Sequence, residues 1–149
     1  MHSFLIQSGD LVIGSHNRLL LADYQQKLIQ DLNCWFLESF GEGFTTPNFG
    51  SLLDTYIGGV DPQSLVAQVQ GEVQRLLGLY QGQQIQLLKQ AQSRNQLSNW
   101  AASQVIQSIG PITTSAVGTQ ITVDIQITTA QGAVTPINLT VTPQGVNLS

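Results

Sequence analysis

The spacing of hydrophobic residues along this chain follows two different periods. Between Asp23 and Phe40 the apolar residues Tyr24, Leu28, Leu32, Trp35, Phe36 and Phe40 recur three and four apart, with Ile29 and Leu37 beside them. That spacing marks one face of a helix, and Gln26, Gln30, Asn33 and Glu38 fall on the opposite face. Asp23 is placed to cap its start. Asp61-Pro62 opens a second helix, with Asp as cap and Pro at the first helical position. Leu65, Val66, Val69, Val73, Leu76, Leu77 and Tyr80 then repeat at helical spacing. The pattern loosens through Leu87, Leu88 and Ala91, weakens over Ser93–Ser98 and resumes at Trp100, Val105, Ile106 and Ile109. It predicts either one long helix or two helices parting near Ser93–Ser98, ended by Gly110-Pro111. Past that point the period becomes two. Ile121, Val123, Ile125 and Ile127 alternate with Thr122, Asp124, Gln126 and Thr128, as in a half-buried strand. Ala130-Gln131-Gly132 predicts a hairpin loop, and Val134–Thr142 returns as a second strand with Ile137, Leu139 and Val141 on its apolar side. Pro136 has no N–H to donate, so that strand should be an edge there.

The N-terminal stretch is less regular. Phe4-Leu5-Ile6 and Leu11-Val12-Ile13 are short extended runs around a Gly9-Asp10 turn. Ser15-His16-Asn17 is turn-like, and Leu19-Leu20-Leu21 leads into the first helix. After that helix, Gly41-Glu42-Gly43 turns the chain, Pro47-Asn48-Phe49-Gly50 closes a short extended piece, and a short helix at Ser51–Tyr56 ends on Gly58-Gly59. The expected architecture is α+β: N-terminal helices packed with a C-terminal antiparallel hairpin or sheet that stays open to strand addition. At 149 residues this is one domain. Its parts are 1–60 (extended and helix-turn-helix), 61–110 (helical) and 111–149 (β-hairpin and tail).

Composition narrows the classes of function. Charged residues are 9% of the chain, against roughly 25% in an average soluble domain, and glutamine fills much of the gap. A weakly charged, Gln- and Thr-rich surface suits a subunit covered by neighbours, because unpaired ions are costly to desolvate in an interface; compositional bias of the source explains it equally. The net charge is −4 and the basic residues are scattered, so no stripe for nucleic acid is expected. No apolar stretch is long enough for a membrane span. MHSFLIQSGD lacks the charged and apolar regions of a signal peptide, and the single Cys34 excludes an internal disulfide. An intracellular origin is the expectation, with Asn138 and Asn147 as chance glycosylation patterns. Cys34, among Leu32, Trp35, Phe36 and Leu37, reads as a small core residue rather than a nucleophile.

The segment Gln26–Gly59, QKLIQDLNCWFLESFGEGFTTPNFGSLLDTYIGG, carries a further signal. A helix ending in a bulky apolar cluster, then Gly-Glu, then an aromatic-Gly pair, then a short Leu-Leu helix resembles the baseplate wedge protein of contractile phage tails. That family is also called the sheath initiator and is often labelled lysozyme-like. The order of parts is similar over nearly the whole chain, most closely at Leu28–Leu53 and Gln120–Val141. It departs at Gln107-Ser108-Ile109-Gly110-Pro111, where many members carry Glu-Pro-Arg, and in the length of Asp61–Ile109. The resemblance implies a structural virion protein of the tail baseplate, assembled in the host cytoplasm in several copies. Its implied partners are other wedge subunits, the tail sheath protein and the tail tube or hub, with no cofactor, nucleic acid or membrane. Strand addition onto the C-terminal hairpin would template the first sheath ring. Ile121, Val123, Ile125, Ile127, Ile137, Leu139 and Val141 then belong to the sheath-arm interface, with Ile137–Val141 as the available edge. Truncation before Ala133 should leave the helical body folded. Gly78, Gly82, Gln107 and Ile109 belong to the wedge interface.

Two rival classes remain. A cell-wall hydrolase needs two carboxyl groups about 5 to 9.5 Å apart in a sugar cleft, and Glu38, Glu42 and Asp54 are the candidates. Nothing in the sequence marks such a cleft, and Glu42 reads more simply as a turn carboxylate. A generic helical adaptor would instead bury its β-edge in a stable monomer. His2 and His16 are the only histidines and neither is near Cys34 in sequence, so clustered metal ligands are not indicated and Cys/His catalysis would need a spatial pairing that the sequence does not show. Gly41-Glu42-Gly43 is too short to cradle a phosphate.

Overall fold

In a computed structural model the placement of residues 4–7, 10–14, 18–41, 50–56, 61–97 and 100–148 is described. Helix α1 spans Tyr24–Leu37 and begins as its sequence dictates. The Asp23 carboxylate accepts the Gln26 N–H at 2.7 Å while the Gln26 side chain accepts the Asp23 N–H at 2.9 Å. This reciprocal pair satisfies two of the orphan donors at the helix start. Leu28, Leu32 and Phe36 are buried, whereas Tyr24 and Phe40 at the ends of the expected stripe are exposed. Helix α2, Pro62–Ser93, is capped by Asp61 with Pro62 in its first turn. Its buried residues Leu65, Val69, Val73, Leu76, Leu77 and Tyr80 are those of the apolar pattern, joined by two polar ones, Glu72 and Gln84.

The C-terminal region is a four-stranded antiparallel meander in the order β3-β4-β5-β6. Its strands are β3 Ile106–Val117, β4 Gln120–Thr129, β5 Val134–Thr142 and β6 Gly145–Leu148. Both helices pack on one face, α2 chiefly against β3 and α1 against β6. Ile121, Val123, Ile125, Ile127, Ile137, Leu139 and Val141 point into that layer and join the core of α1 and α2. The opposite face is polar, with the Asn138 amide donating to Asp124. The fold class is α+β with an open sheet, as the two periods imply.

Four expectations need correction. The helical reading of Trp100–Ile109 is wrong: α2 ends at Ser93, a single 3-10 turn covers Ala102–Gln104, and Ile106 already starts a strand. The β-branched Val105, Ile106 and Ile109 favour that strand. Register shifts at Ile106/Ser108 and Ile109/Ile112 break its period of two, so the alternation was hidden. The hairpin is therefore half of a sheet: Leu139–Thr142 pair with β6, and among the described residues no strand pairs with the outer side of Val134–Asn138. Pro136 lies in that open part, as its missing donor requires. Removing everything from Ala133 onward would strip buried Ile137, Leu139 and Val141 from the core, so the body would not stay folded. Cys34 is exposed rather than a core residue, because it lies off the Leu28–Leu32–Phe36 stripe.

Two side-chain networks join the layers. Buried Gln84 donates to the Gln104 carbonyl at 2.8 Å and accepts the Ile106 N–H at 3.0 Å, fastening α2 to the start of β3. Further along, Gln63, Gln70 and Gln81 of α2 donate to backbone carbonyls of the edge strand β3, at Ala116, Ile112 and Gln107 respectively. Glu72 accepts from the Leu52 N–H and from Arg75, which also donates to the Gly50 carbonyl. That clamp holds the segment 50–56, with its 3-10 turn Leu53–Tyr56, against α2. Gly50 has φ +109°, and an added Cβ would lie 2.5 Å from the Ser39 carbonyl oxygen, so this crossing of chains requires glycine.

The described residues 4–7, 10–14 and 18–21 form a separate small structure. β1 Ile6–Gln7 pairs with β2 Asp10–Leu11, and 19–21 bridges to both, Phe4 to Leu21 and Ile13 to Leu19. Leu5 donates its N–H to Leu20, Leu20 to Val12 and Val12 to Leu5, a closed ring of three backbone hydrogen bonds. Gln30 of α1 ties it down through the Ile6 N–H and the Phe4 carbonyl.

Candidate functional site

The open side of the sheet faces a groove. β6 is the outer strand, and among the described residues no strand pairs with its far side. Beside it runs a depression of about 920 Å3, floored by Ile29, Asn33 and Leu37 of α1 and closed across by Leu5 and Ile6 of the N-terminal arm; Asn147 and Leu148 of β6 form its other wall. Leu37 is half exposed there because it lies off the buried α1 stripe. The arrangement combines a strand edge that no other described strand pairs with apolar side chains beside it, the segment 50–56 approaching its Gly145–Val146 end. This is the geometry by which an extended segment adds to a sheet: main-chain bonds give affinity and alternate side chains find pockets. Cys34 lines the same groove. Partial desolvation in the groove, with the charges of Asp31 and Glu38, pushes its thiol up from the ordinary cysteine value, which disfavours the thiolate.

The seven residues expected at a sheath-arm interface are brought together, but as core. Each is at most 4% exposed, and β4 is paired on both sides. Their side chains support the sheet from its inner face; among the described residues the strand edges without a pairing strand on this side are Gly145–Leu148 and Val134–Asn138. The four wedge-interface positions lie on two adjoining elements, α2 and β3, which Gln81 joins by donating to the Gln107 carbonyl. Gly78 and Gly82 stand on the outward face of α2 with open space before them. Gln107 is exposed on β3, and Ile109 is half-buried against the core.

Of the hydrolase candidates, Glu38 and Asp54 line one cleft of about 230 Å3 with Ser39, Ser51 and Gly145. The aromatic ring there, Phe36, is 1% exposed and offers no face for a sugar. Glu42 and both histidines lie outside the described residues. Among the described residues no three of His, Cys, Asp and Glu gather as a metal site, and no helix is long and apolar enough to cross a membrane.

Two features escaped the sequence reading. One is the display of apolar side chains on the N-terminal arm, where Phe4, Ile6, Leu11, Ile13 and Leu19–Leu21 are all exposed. Its signal was present in the apolar runs themselves, which have no polar alternation to mark an inner face. The other is a pocket of about 240 Å3 where α1 and α2 meet the 3-10 turn Ala102–Gln104, lined among others by Asp31, Trp35, Tyr80, Trp100 and Gln104. Burial and the Asp31 charge push the Tyr80 phenol far up, so it is a neutral hydroxyl. Its members are scattered over seventy positions of sequence, and no spacing rule connects them. Comparison with known protein families, with curated proteins and with solved structures finds no match.

Proposed function

We propose that this chain is a structural component of a contractile-tail baseplate wedge, linking baseplate to tail and starting the first sheath ring by β-strand addition. The observation that carries the strand-addition step is the unpaired side of β6 beside the apolar α1 groove. An arm of a sheath subunit would lie along Gly145–Leu148 with its alternate side chains over Ile29 and Leu37. The assignment to a tail baseplate rests on the resemblance of Gln26–Gly59 and on the order of elements. The outward Gly78–Gly82 face of α2 is the surface offered to neighbouring wedge subunits. The protein acts here without catalysis.

Replacing Val146 by Pro tests this reading. The substitution removes one N–H and obstructs pairing in a four-residue strand, leaving the buried residues of β4 and β5 in place. Particles carrying it should assemble baseplates but fail to grow sheath. Sheaths of normal length on such particles would mean that the initiating contact lies elsewhere. The cleft shared by Glu38 and Asp54 favours one rival, a glycosidase, and a cell-wall clearing assay separates the two. The wild-type protein should give no turnover. Turnover that Glu38→Gln abolishes would establish the hydrolase instead.

A further inference from the structure

The groove along β6 differs at its two ends. At Asn147 and Leu148 it is walled by Leu5, Ile6 and Ile29. At Gly145 and Val146 it continues into the smaller cleft that holds Glu38 and Asp54, and Leu37 and Glu38 line both depressions. Asp54 is exposed and Glu38 half-buried. The Glu38 charge is felt at the Cys34 thiol, which lines the groove. Among the described residues no cation pairs with either carboxylate: the ion pairs are Lys27–Asp31 and Arg75–Glu72. Arg75 reaches this part of the chain through the Gly50 carbonyl, but its charge is held by Glu72. Glu38 is also the C-cap of α1, whose last turn has no basic residue. A carboxylate there meets the negative end of the helix dipole, a placement that folding alone disfavours. The groove is thus apolar at one end and carries uncompensated negative charge at the other.

The floor sets a register. Ile29, Asn33 and Leu37 follow one another every four residues of α1, about 6 Å of helix rise. Two residues of a strand cover about 6.6 Å, so alternate side chains of an added strand keep step with this row. Every neighbouring pair in the sheet is antiparallel, and antiparallel pairing is the more stable kind. A strand added in that way runs from Leu148 toward Gly145, from the apolar end to the acidic one. We infer that the groove takes an extended polypeptide segment of one polarity. Its alternate residues are an apolar one over Ile29, a small polar one over Asn33, an apolar one over Leu37 and a Lys or Arg reaching Glu38 and Asp54, in that order from the N-terminus. This rests on the strand-addition reading and supplies the chemistry of the arm. The two carboxylates then select charge, with no acid–base role.

The full-length, isotope-labelled protein is titrated with the peptide Ile-Thr-Thr-Thr-Ile-Thr-Lys, capped at both ends so that Lys is its only charge. Three companions carry Gln for Lys, Glu for Lys, or the whole sequence reversed. The Lys peptide should shift the Gly145–Leu148 amide signals saturably, with a dissociation constant of about a millimolar, as fits so short a flexible segment. At low salt the Gln and reversed peptides should bind about threefold more weakly and the Glu peptide about tenfold. The double variant Glu38→Gln, Asp54→Asn should erase the preference for Lys without lowering the melting temperature, since the helix end loses an unfavourable charge. The inference is overturned if the Lys and Glu peptides bind alike, if the reversed peptide binds as tightly as the forward one, or if the double variant keeps the preference. Equal shifts at β6 with all four peptides would remove the charge selection and leave strand addition standing. No shift at β6 with any peptide would remove both.

Discussion

The N-terminal arm and the helix–sheet body are both rich in large apolar residues, and they use them in opposite ways. In the body, Leu28, Leu53, Val73, Leu77, Val123 and Leu139 are all but inaccessible to solvent. In the arm, Ile13 is 63% exposed and Leu21 54%. The difference follows from layers. The body has a sheet face and two helix stripes of matching size, so each buries the other. The arm has three short extended pieces whose backbones satisfy one another in a ring while their side chains splay outward. Hydrogen bonding alone therefore gives a local structure without giving a core. Contiguous exposed apolar surface of this kind is typical of surfaces that are covered in an assembly.

The sharpest way to test the contrast is to remove equal side chains from both regions. Leu77→Ala in the body should cost about 3 kcal/mol in urea unfolding, through lost burial and a cavity. Leu20→Ala in the arm should cost under about 0.5 kcal/mol. If the two costs are alike, the arm is structural and the comparison fails.

A smaller effect concerns the clamp that binds the segment 50–56 to the body. Burial alone would raise the Glu72 carboxyl, but hydrogen bonds from Arg75 and the Leu52 N–H, with the Arg75 charge, outweigh it and hold it below the ordinary carboxylate value. A lowered folded value means that the clamp's stabilisation is complete above the ordinary carboxylate range. It is lost as the pH falls through the depressed value. Arg75 is a third exposed, so solvent screening limits the loss in Glu72→Gln to about 1 to 2 kcal/mol. The variant should also show a flatter stability profile below pH 5, in denaturant titrations run at each pH. An unchanged profile would place the acid sensitivity elsewhere.

The smallest effects belong to the outward face of α2. Gly78→Ala and Gly82→Ala have open space around the new methyl, so each should raise stability by about 1 kcal/mol. If that face contacts wedge neighbours, the double variant should fold better and assemble worse. Equal assembly would remove Gly78 and Gly82 from the interface.

How far the sequence could be read depends on whether periodicity was intact. α1, α2, β4 and β5 were legible because their apolar residues keep one period and their caps are explicit at Asp23 and Asp61. β3 was not, because two register irregularities scramble its alternation and its Ile109 falls by chance three and four residues from Ile106 and Val105, a helical spacing. β6 carries four residues, too few for any period. The candidate strand-addition site was placed one strand inward for that reason: without β6, the outer side of Leu139 looks free. The groove itself depends on α1 residues off the buried stripe, such as Asn33 and Leu37, whose significance appears only once the arm lies across from them. The pocket lined by Tyr80 and Gln104 was beyond reach, since its members meet only in three dimensions.

The glutamines that α2 extends to β3 have a consequence for growth. Carbonyls on that flank at Gln107, Ile112 and Ala116 are already occupied from within, so on the strand-addition reading the β6 side is the more receptive of the two. A unit with one receptive side has a valence of one: it can start or stop a ribbon of strands, but it cannot be a link in the middle. Two copies meeting through their receptive sides would close into a pair with nothing left to offer, whereas units open on both flanks would form fibres. On the strand-addition reading Gln63, Gln70 and Gln81 bias assembly toward the β6 side, and replacing them should make the β3 edge easier to pair.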